Sequence, residues 1–315
     1  MDWSERIGRR IRLRDLHILL TVVQCRSMAK AAEQLAISKP VVSKAIADLE
    51  HMLGVRVLER DRHSAEPTVF GAALLKRGIT VFDELREGVK DIEFLTDPTA
   101  GDVRIGCNPI LATGFVSAVI ERLSRRLPRL VFHVVVRPGE MLLAALSERK
   151  VDFLVARRLG ALTDERLGFK LLFSDRDVVV AGKQNAWIGR RKIELADLMK
   201  ESWVLPPPDN VVGSVVAKAF RARGLEYPST TVFSDSPHVR LSLVSSGRFL
   251  SIFPASVLKF PGSPPGVKEL RVQPQLAAVP VGIVTLENRT PGPAAQLFID
   301  YACEMAKPTT KAAAI

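Results

Sequence analysis

Residues 27–50, SMAKAAEQLAISKPVVSKAIADLE, hold two short helical patterns with only a few residues between them. Ser27 is a good N-cap, and strong helix formers follow over Ala29–Ala36. Ala31, Ala32 and Leu35 share one face of that helix. Ser38 can cap a second helix, with Pro40 in its first turn, where a missing N–H costs little. Val41, Val42, Ala45, Ile46 and Leu49 supply its apolar face. The connection, about Ala36–Lys39, is as short as the turn of a helix-turn-helix. An earlier helix, roughly Asp15–Cys25, offers Leu16, Leu19, Leu20 and Val23 to the same core. Once the core positions are assigned, Lys39, Pro40, Ser43, Lys44 and Asp48 remain outside. A helix N-terminus carrying Ser and Lys suits phosphate contact and entry into a major groove. An ordinary helical hairpin with a solvated face is the alternative.

The next stretch, Leu53–Thr68, reads as a short strand, a charged loop and a second short strand. Val55, Val57 and Leu58 stand in the first strand, and Arg56, Arg60, Arg62 and His63 cluster beside it. Such a β-wing lays arginines along phosphates. A surface hairpin with solvated charges would look the same.

From about residue 12 to residue 75 the chain resembles the N-terminal winged helix-turn-helix of LysR-type transcriptional regulators. The resemblance is carried by Ser27, Ala31-Ala32, Leu35, Ser38, Pro40, Ser43, Ile46, Leu49-Glu50, Leu53-Gly54, Val55, Leu58 and Arg60. Placement on the outer face and in the charged hairpin, taken with the resemblance, gives a candidate DNA-binding set of Ser38, Lys39, Pro40, Ser43, Lys44, Arg60 and Arg62. Lys39 stands where the family usually has Gln. Thr68-Val69-Phe70-Gly71-Ala72 departs from the usual linker entry. The extra N-terminal residues carry Arg6, Arg9, Arg10, Arg12 and Arg14, either as an arm on phosphate or as a solvated tail.

Residues 69–95 read as one long helix. Leu75, Ile79, Phe82, Leu85, Val89 and Ile92 recur at steps of three and four, making an apolar stripe between charged borders. So long a helix after so small a unit needs cover. A second copy of the chain can supply it, as can the chain's own next domain. The resemblance makes this the dimerising linker. The segment TDPTAGD (96–102) marks a boundary.

Beyond it, strand and helix patterns alternate: DVRIGCNPI, Leu111–Leu127, LVFHVVV, Met141–Lys150 and DFLVAR. That alternation predicts an α/β domain with a mostly parallel sheet. A second set begins at DVVVAG (177–182), and PVGIVTL (280–286) with a helix near Pro293–Met305 returns to the first. His133, inside an apolar strand, reads as a core residue. The resemblance implies a two-lobed effector domain similar in architecture to periplasmic binding proteins. The expected plan is a winged helix-turn-helix over 1–68, a linker helix over 69–96 and an effector domain over 101–306. Lobe 1 is about 101–173 and 269–306, and lobe 2 about 174–268. Ligands of such lobes sit at strand C-termini and helix N-termini. The candidates are Cys107, Asn108, Pro109, Ile110, Arg137, Arg157, Pro207, Asp209, Ser236 and Phe253, although each can equally be loop structure.

Net charge is +11, but residues 1–66 carry only 12 Lys and Arg against 9 Asp and Glu. Residues 101–315 carry 29 against 19, so the basic excess lies mainly outside the winged unit and composition alone does not point there. The surplus, with Arg137 and Arg157 near strand ends, favours an anionic effector. Surface ion pairing is the alternative reading of those arginines. Cys25, Cys107 and Cys303 are few and far apart, which suggests neither disulfides nor a zinc cluster. No phosphate loop, dinucleotide fingerprint, zinc-protease motif or nucleophile elbow occurs, so no enzyme, metal or cofactor is expected. A solute-binding protein is opposed by the helix-turn-helix. No apolar run approaches the roughly 20 residues of a membrane span, and the charged N-terminus does not read as a secretory signal, so a cytoplasmic protein is expected. The expected partners are double-stranded operator DNA, a small-molecule effector and further copies of the chain as a dimer of dimers. RNA polymerase is a further candidate.

Overall fold

The computed structural model describes residues 11–59, 65–159, 164–260 and 265–311. The chain divides into two compact units, one ending at Val89 and the other starting at Lys90.

The first unit opens with α1 (Leu13–Cys25), α2 (Met28–Gln34) and α3 (Lys39–Leu53). Ser27 caps α2, its hydroxyl accepting from the Lys30 N–H at 3.4 Å. Ala36 takes the left-handed conformation at φ 52, so the turn closes without a glycine. That strains a side-chain-bearing residue by about 1–2 kcal/mol. The Ile37 N–H returning to the Ala32 carbonyl at 3.0 Å helps hold it. Ala31 and Ala32 are buried where the helices cross. Ile18, Leu19, Val42, Ile46 and Leu49 close the core around them. The base of the expected two-stranded wing is described in the antiparallel bridge of Leu58 with Pro67, a Glu59 N–H bond to the Glu66 carbonyl at 2.8 Å and a Thr68 N–H bond to the Val57 carbonyl at 3.1 Å. Glu50, near the end of α3, fixes its base by accepting from the N–H groups of Val57 (2.9 Å) and Leu58 (3.3 Å). Arg60, Arg62 and His63 lie outside the described residues, as do Arg6, Arg9 and Arg10.

The long helix α4 (Val69–Thr96) leads from the first unit into the second. Its apolar stripe does not stay on one side. Leu75 belongs to the winged core, and the Phe82 ring lies 5.6 Å from that of His17. Leu85, Val89 and Ile92 remain exposed, joined by Val81 and Leu95. The expected six-residue stripe is therefore two adjacent faces. The 3.6-residue period turns a run of steps of three and four slowly around the helix axis.

Among the described residues the second unit is built on nine strands: β1 (Ala100–Cys107), β2 (Arg129–Val136), β3 (Phe153–Arg157), β4 (Leu167–Gly182), β5 (Trp203–Leu205), β6 (Thr230–Phe233), β7 (Leu250–Pro254), β8 (Val267–Glu269) and β9 (Ala278–Leu286). Its main helices are α5 (Ser117–Arg126), α6 (Gly139–Ser147), α7 (Val211–Arg221), α8 (Pro237–Ser245) and α9 (Pro293–Lys311). The strand order is β2-β1-β3-β9-β4-β7-β5-β6, with β8 on β4. Among the named strands, parallel pairing joins β2-β1-β3 and β6-β5-β7. Between these blocks β9 and β4 run antiparallel to their neighbours, so the sheet is mixed rather than mostly parallel.

Strand β4 is the spine. Its first part, through Arg176, pairs with β9, and its second, from Asp177, pairs with β7. It starts at Leu167, well before the strand expected at 177. Alternation along it feeds two cores: Val179 and Ala181 face the one around Trp203 and Phe220, whereas Val178 and Val180 face the one around Phe253 and Val244. The first lobe is layered in the same way. Phe115, Phe153, Phe173 and Phe298 fill one side of its sheet, and Leu142, Leu146 and Leu154 the other. Leu270, Val272 and Leu276 still belong to the second lobe's core. The chain therefore crosses back near Ala277, later than the border expected at 268. His133 is exposed, because β2 is an edge strand, and the core reading of it is corrected.

Candidate functional site

In the winged unit, Ser38, Lys39, Pro40, Ser43 and Lys44 are all exposed at the N-terminal end of α3. Ser38 takes the extended N-cap conformation, but its hydroxyl makes no cap bond. Only its carbonyl is engaged, accepting from Val41 and Val42 at 3.0 and 3.3 Å. Pro40 has no N–H, so the first turn leaves the Lys39 N–H free of the helix, beside two lysine side chains. Fixed N–H groups with the positive end of a helix dipole attract phosphate.

In the second unit the candidates gather at strand C-termini. Cys107, Arg137 and Arg157 end or follow the parallel strands β1, β2 and β3. The Arg137 N–H reaches the Cys107 carbonyl at 3.3 Å. Pro207 and Ser236 follow β5 and β6, and Phe253 lies near the end of β7. These two sets meet where β4 crosses between lobes. There Arg157 donates to Asp177 at 2.8 Å, and Ile110 packs against the second lobe's core. The strand C-termini of both lobes thus come to the crossing, the kind of place where α/β sheets bind ligands.

Several candidates have other work. Cys107 is fully buried among the first lobe's apolar side chains, and burial pushes its thiol up to about 12. It is neither a crevice contact nor a ready thiolate. Asn108 caps the helical turn Pro109–Leu111, its side-chain oxygen accepting from the Leu111 N–H at 2.9 Å. A π-helical turn, Ala112–Val116, then leads into α5. Arg157 is spent on Asp177 and so offers no uncompensated charge to an effector. Burial pushes the Asp177 carboxyl above its ordinary range, although Arg157 pulls it down. Asp175 next door accepts from the Ser256 N–H (3.0 Å) and hydroxyl (2.6 Å), pinning the crossing to the turn after β7. Asp209 is exposed, and the cap of α7 is its neighbour Asn210, accepting from Gly213 N–H at 2.7 Å. Ser236 caps α8 through the Val239 N–H at 3.4 Å. Phe253 is buried rather than lining the crevice, with the Arg240 guanidinium 4.3 Å above its ring. Arg137 stays exposed.

Arg240 is the residue that sequence reading missed. It sits mid-helix in α8 and looks like a surface arginine, so no spacing marks it. Asp175, Asp177 and Ser256 were equally unmarked. Each looks like an ordinary polar residue until the two lobes fold together.

Among the described residues, no group of three or more His, Cys, Asp or Glu could hold a metal ion. No described helix is long and apolar enough to cross a membrane.

Comparison with known proteins adds to this geometry. A family model described as the LysR substrate binding domain matches residues 96–307. A second, described as a bacterial regulatory helix-turn-helix protein of the lysR family, matches residues 13–72. The HTH-type transcriptional regulator GbpR of Azospirillum brasilense is 28% identical over 290 residues, covering 91% of this chain and 84% of that one. TdcA of Escherichia coli, also an HTH-type transcriptional regulator, is 24% identical over 242 residues, 77% of each. A full-length OxyR variant from Pseudomonas aeruginosa superposes with a TM-score of 0.66 at 18% identity, covering 94% of this chain and 95% of that chain. Full-length CbnR complexed with its target DNA superposes at 0.63 and 18% identity, covering 94% and 100%. These two likenesses are of fold.

Proposed function

The chain belongs to the LysR family of transcriptional regulators, and from that premise we propose which of its surfaces read DNA, pair with a second copy and take the effector. It is a DNA-binding regulator with a small-molecule effector domain, not an enzyme. The reading surface is the N-terminal half of α3. Lys39 and Ser43 reach base edges, while Ser38, Pro40 and Lys44 lie along the backbone. Arg60 and Arg62, from sequence position alone, hold phosphate from the wing. The observation that carries this reading is the exposed, uncapped start of α3, with Lys39, Ser43 and Lys44 on one side and a sealed core on the other. The seam between copies is the exposed face of α4, and two such dimers make a tetramer. The effector crevice is bounded by Asn108, Pro109, Ile110, Arg137, Pro207 and Ser236, with the crossing of β4 as its floor. Its closure around a small molecule shifts the spacing of the paired winged units and so changes the footprint on DNA.

Operator binding tests the first part. Lys39→Ala is expected to weaken operator binding by about 1–3 kcal/mol and to relax preference at one base position. The measurement is a fluorescence-anisotropy titration against the upstream DNA and a set of single-base variants of it. An unchanged Kd and unchanged base preference would remove Lys39 from the reading surface.

A further inference from the structure

We propose that Arg240 receives an anionic group of the effector, a carboxylate or a phosphate; the inference rests on the effector crevice proposed above. Arg240 is only 4% exposed, yet among the described residues no carboxylate forms an ion pair with it. Among the described residues its one hydrogen bond donates Nη1 to the Ile252 carbonyl at 3.3 Å, and its Nε, like that of Arg157, is buried with no partner. Two other arginines of this unit with buried side chains are placed differently. Arg157 has Asp177, and Arg289 has Asp152 at 3.1 Å. An uncompensated buried charge is costly, and proteins retain one where something else supplies the counter-charge.

Its place favours a ligand. The guanidinium lies on the Phe253 ring near the end of β7 and within the fields of Tyr227 and Asp235. Tyr227 donates its hydroxyl to the Pro206 carbonyl at 2.7 Å, just after β5, and Asp235 follows β6. Arg240 thus stands where the C-terminal ends of three strands converge, one helical turn behind the Ser236 cap. Burial lowers its pKa to about 10, still far above neutrality, so it keeps its charge. The Phe253 stack fixes the plane of the fork and leaves donors for a two-pronged anion. The anionic character inferred from Arg137 and Arg157 is thereby moved to a different arginine.

The test uses the full chain. Inorganic phosphate, succinate, citrate and benzoate are titrated by calorimetry and thermal shift against the wild type, beside succinamide and benzamide as neutral counterparts. At least one anion is expected to bind and raise Tm, its neutral counterpart is not, and R240Q is expected to weaken that anion about 10- to 100-fold. R240K keeps the charge but loses the fork, so it should fall between the two. It carries the same test should R240Q fail to fold. Anion binding that R240Q and R240K leave unchanged overturns the proposal, as does a panel in which no anion binds. A neutral compound that binds all three proteins alike and shifts operator binding overturns it while leaving the effector crevice in place.

Discussion

A chain carrying Leu85→Asp and Val89→Asp together is expected to run as a monomer and to lose operator binding. Leu85 and Val89 are 50% and 54% exposed in the single chain, and Ile92 and Leu95 beside them are 66% and 81% exposed. Nothing in the chain's own cores depends on them, so the double substitution leaves each unit folded. Within a seam between copies, each Asp would be a charge with no partner, costing several kcal/mol. A symmetric dimer presents the patch twice, giving four such charges. The dimer constant should weaken by more than about 1,000-fold. Operator affinity follows, because a monomer keeps one reading helix where a dimer holds two half-sites at once. Sedimentation velocity and operator titration of the same preparation check both halves. A stable dimer from the double variant would place the seam elsewhere. Phe82 is the wrong position for this experiment, since its ring lies against His17 and its loss would disturb the winged unit.

How much of this was legible follows from what each signal encodes. The three helices of the winged unit were legible because Ala31, Ala32, Val42, Ile46 and Leu49 repeat at the helical period and all reach one core. The wing was less so. The described base of its hairpin is short, and the Glu50 carboxylate that also holds it comes from a lone Glu with no periodic mark. The alternation of elements in the second unit was also readable. The direction of β9 and the early start of β4 were not, because both strands are buried centrally and alternation alone does not tell parallel from antiparallel. The crevice was legible only as a set of strand ends. Which arginine there keeps an uncompensated charge depends on partners far away in sequence. Arg157 finds Asp177 across the lobe crossing, while Arg240, among the described residues, bonds a carbonyl and stacks on a ring.

Two glycines on α4 should respond to alanine in opposite directions. Thr68, just before the helix, donates its N–H to the Val57 carbonyl at 3.1 Å and its hydroxyl to the Arg56 carbonyl at 2.7 Å. The Gly71 N–H then closes on the Thr68 hydroxyl at 3.1 Å, drawing the first turn of α4 against the base of the wing. A Cβ on Gly71 would stand 2.0 Å from the Val57 carbonyl oxygen, a backbone atom that cannot rotate away. Gly71→Ala must therefore push the helix start from the wing. Overpacking of this kind costs about 3 kcal/mol, and the winged unit should melt about 10 °C or more below the wild type. Operator binding should fall with it, since the wing's second arm, Ala65–Thr68, leads directly into that turn. Gly78 lies two turns further along. A Cβ there would meet only the end of the Leu16 side chain at 4.0 Å. The same substitution relieves the entropy cost of a mid-helix glycine, and Gly78→Ala should gain about 0.5–1 kcal/mol. Hydrogen exchange on residues 11–89 of the full chain, with and without each change, reads both signs. Gly71→Ala protection equal to the wild type would mean that the close approach to Val57 does not hold the wing. A loss at Gly78 would mean that α1 and α4 pack more tightly than a 4.0 Å gap allows.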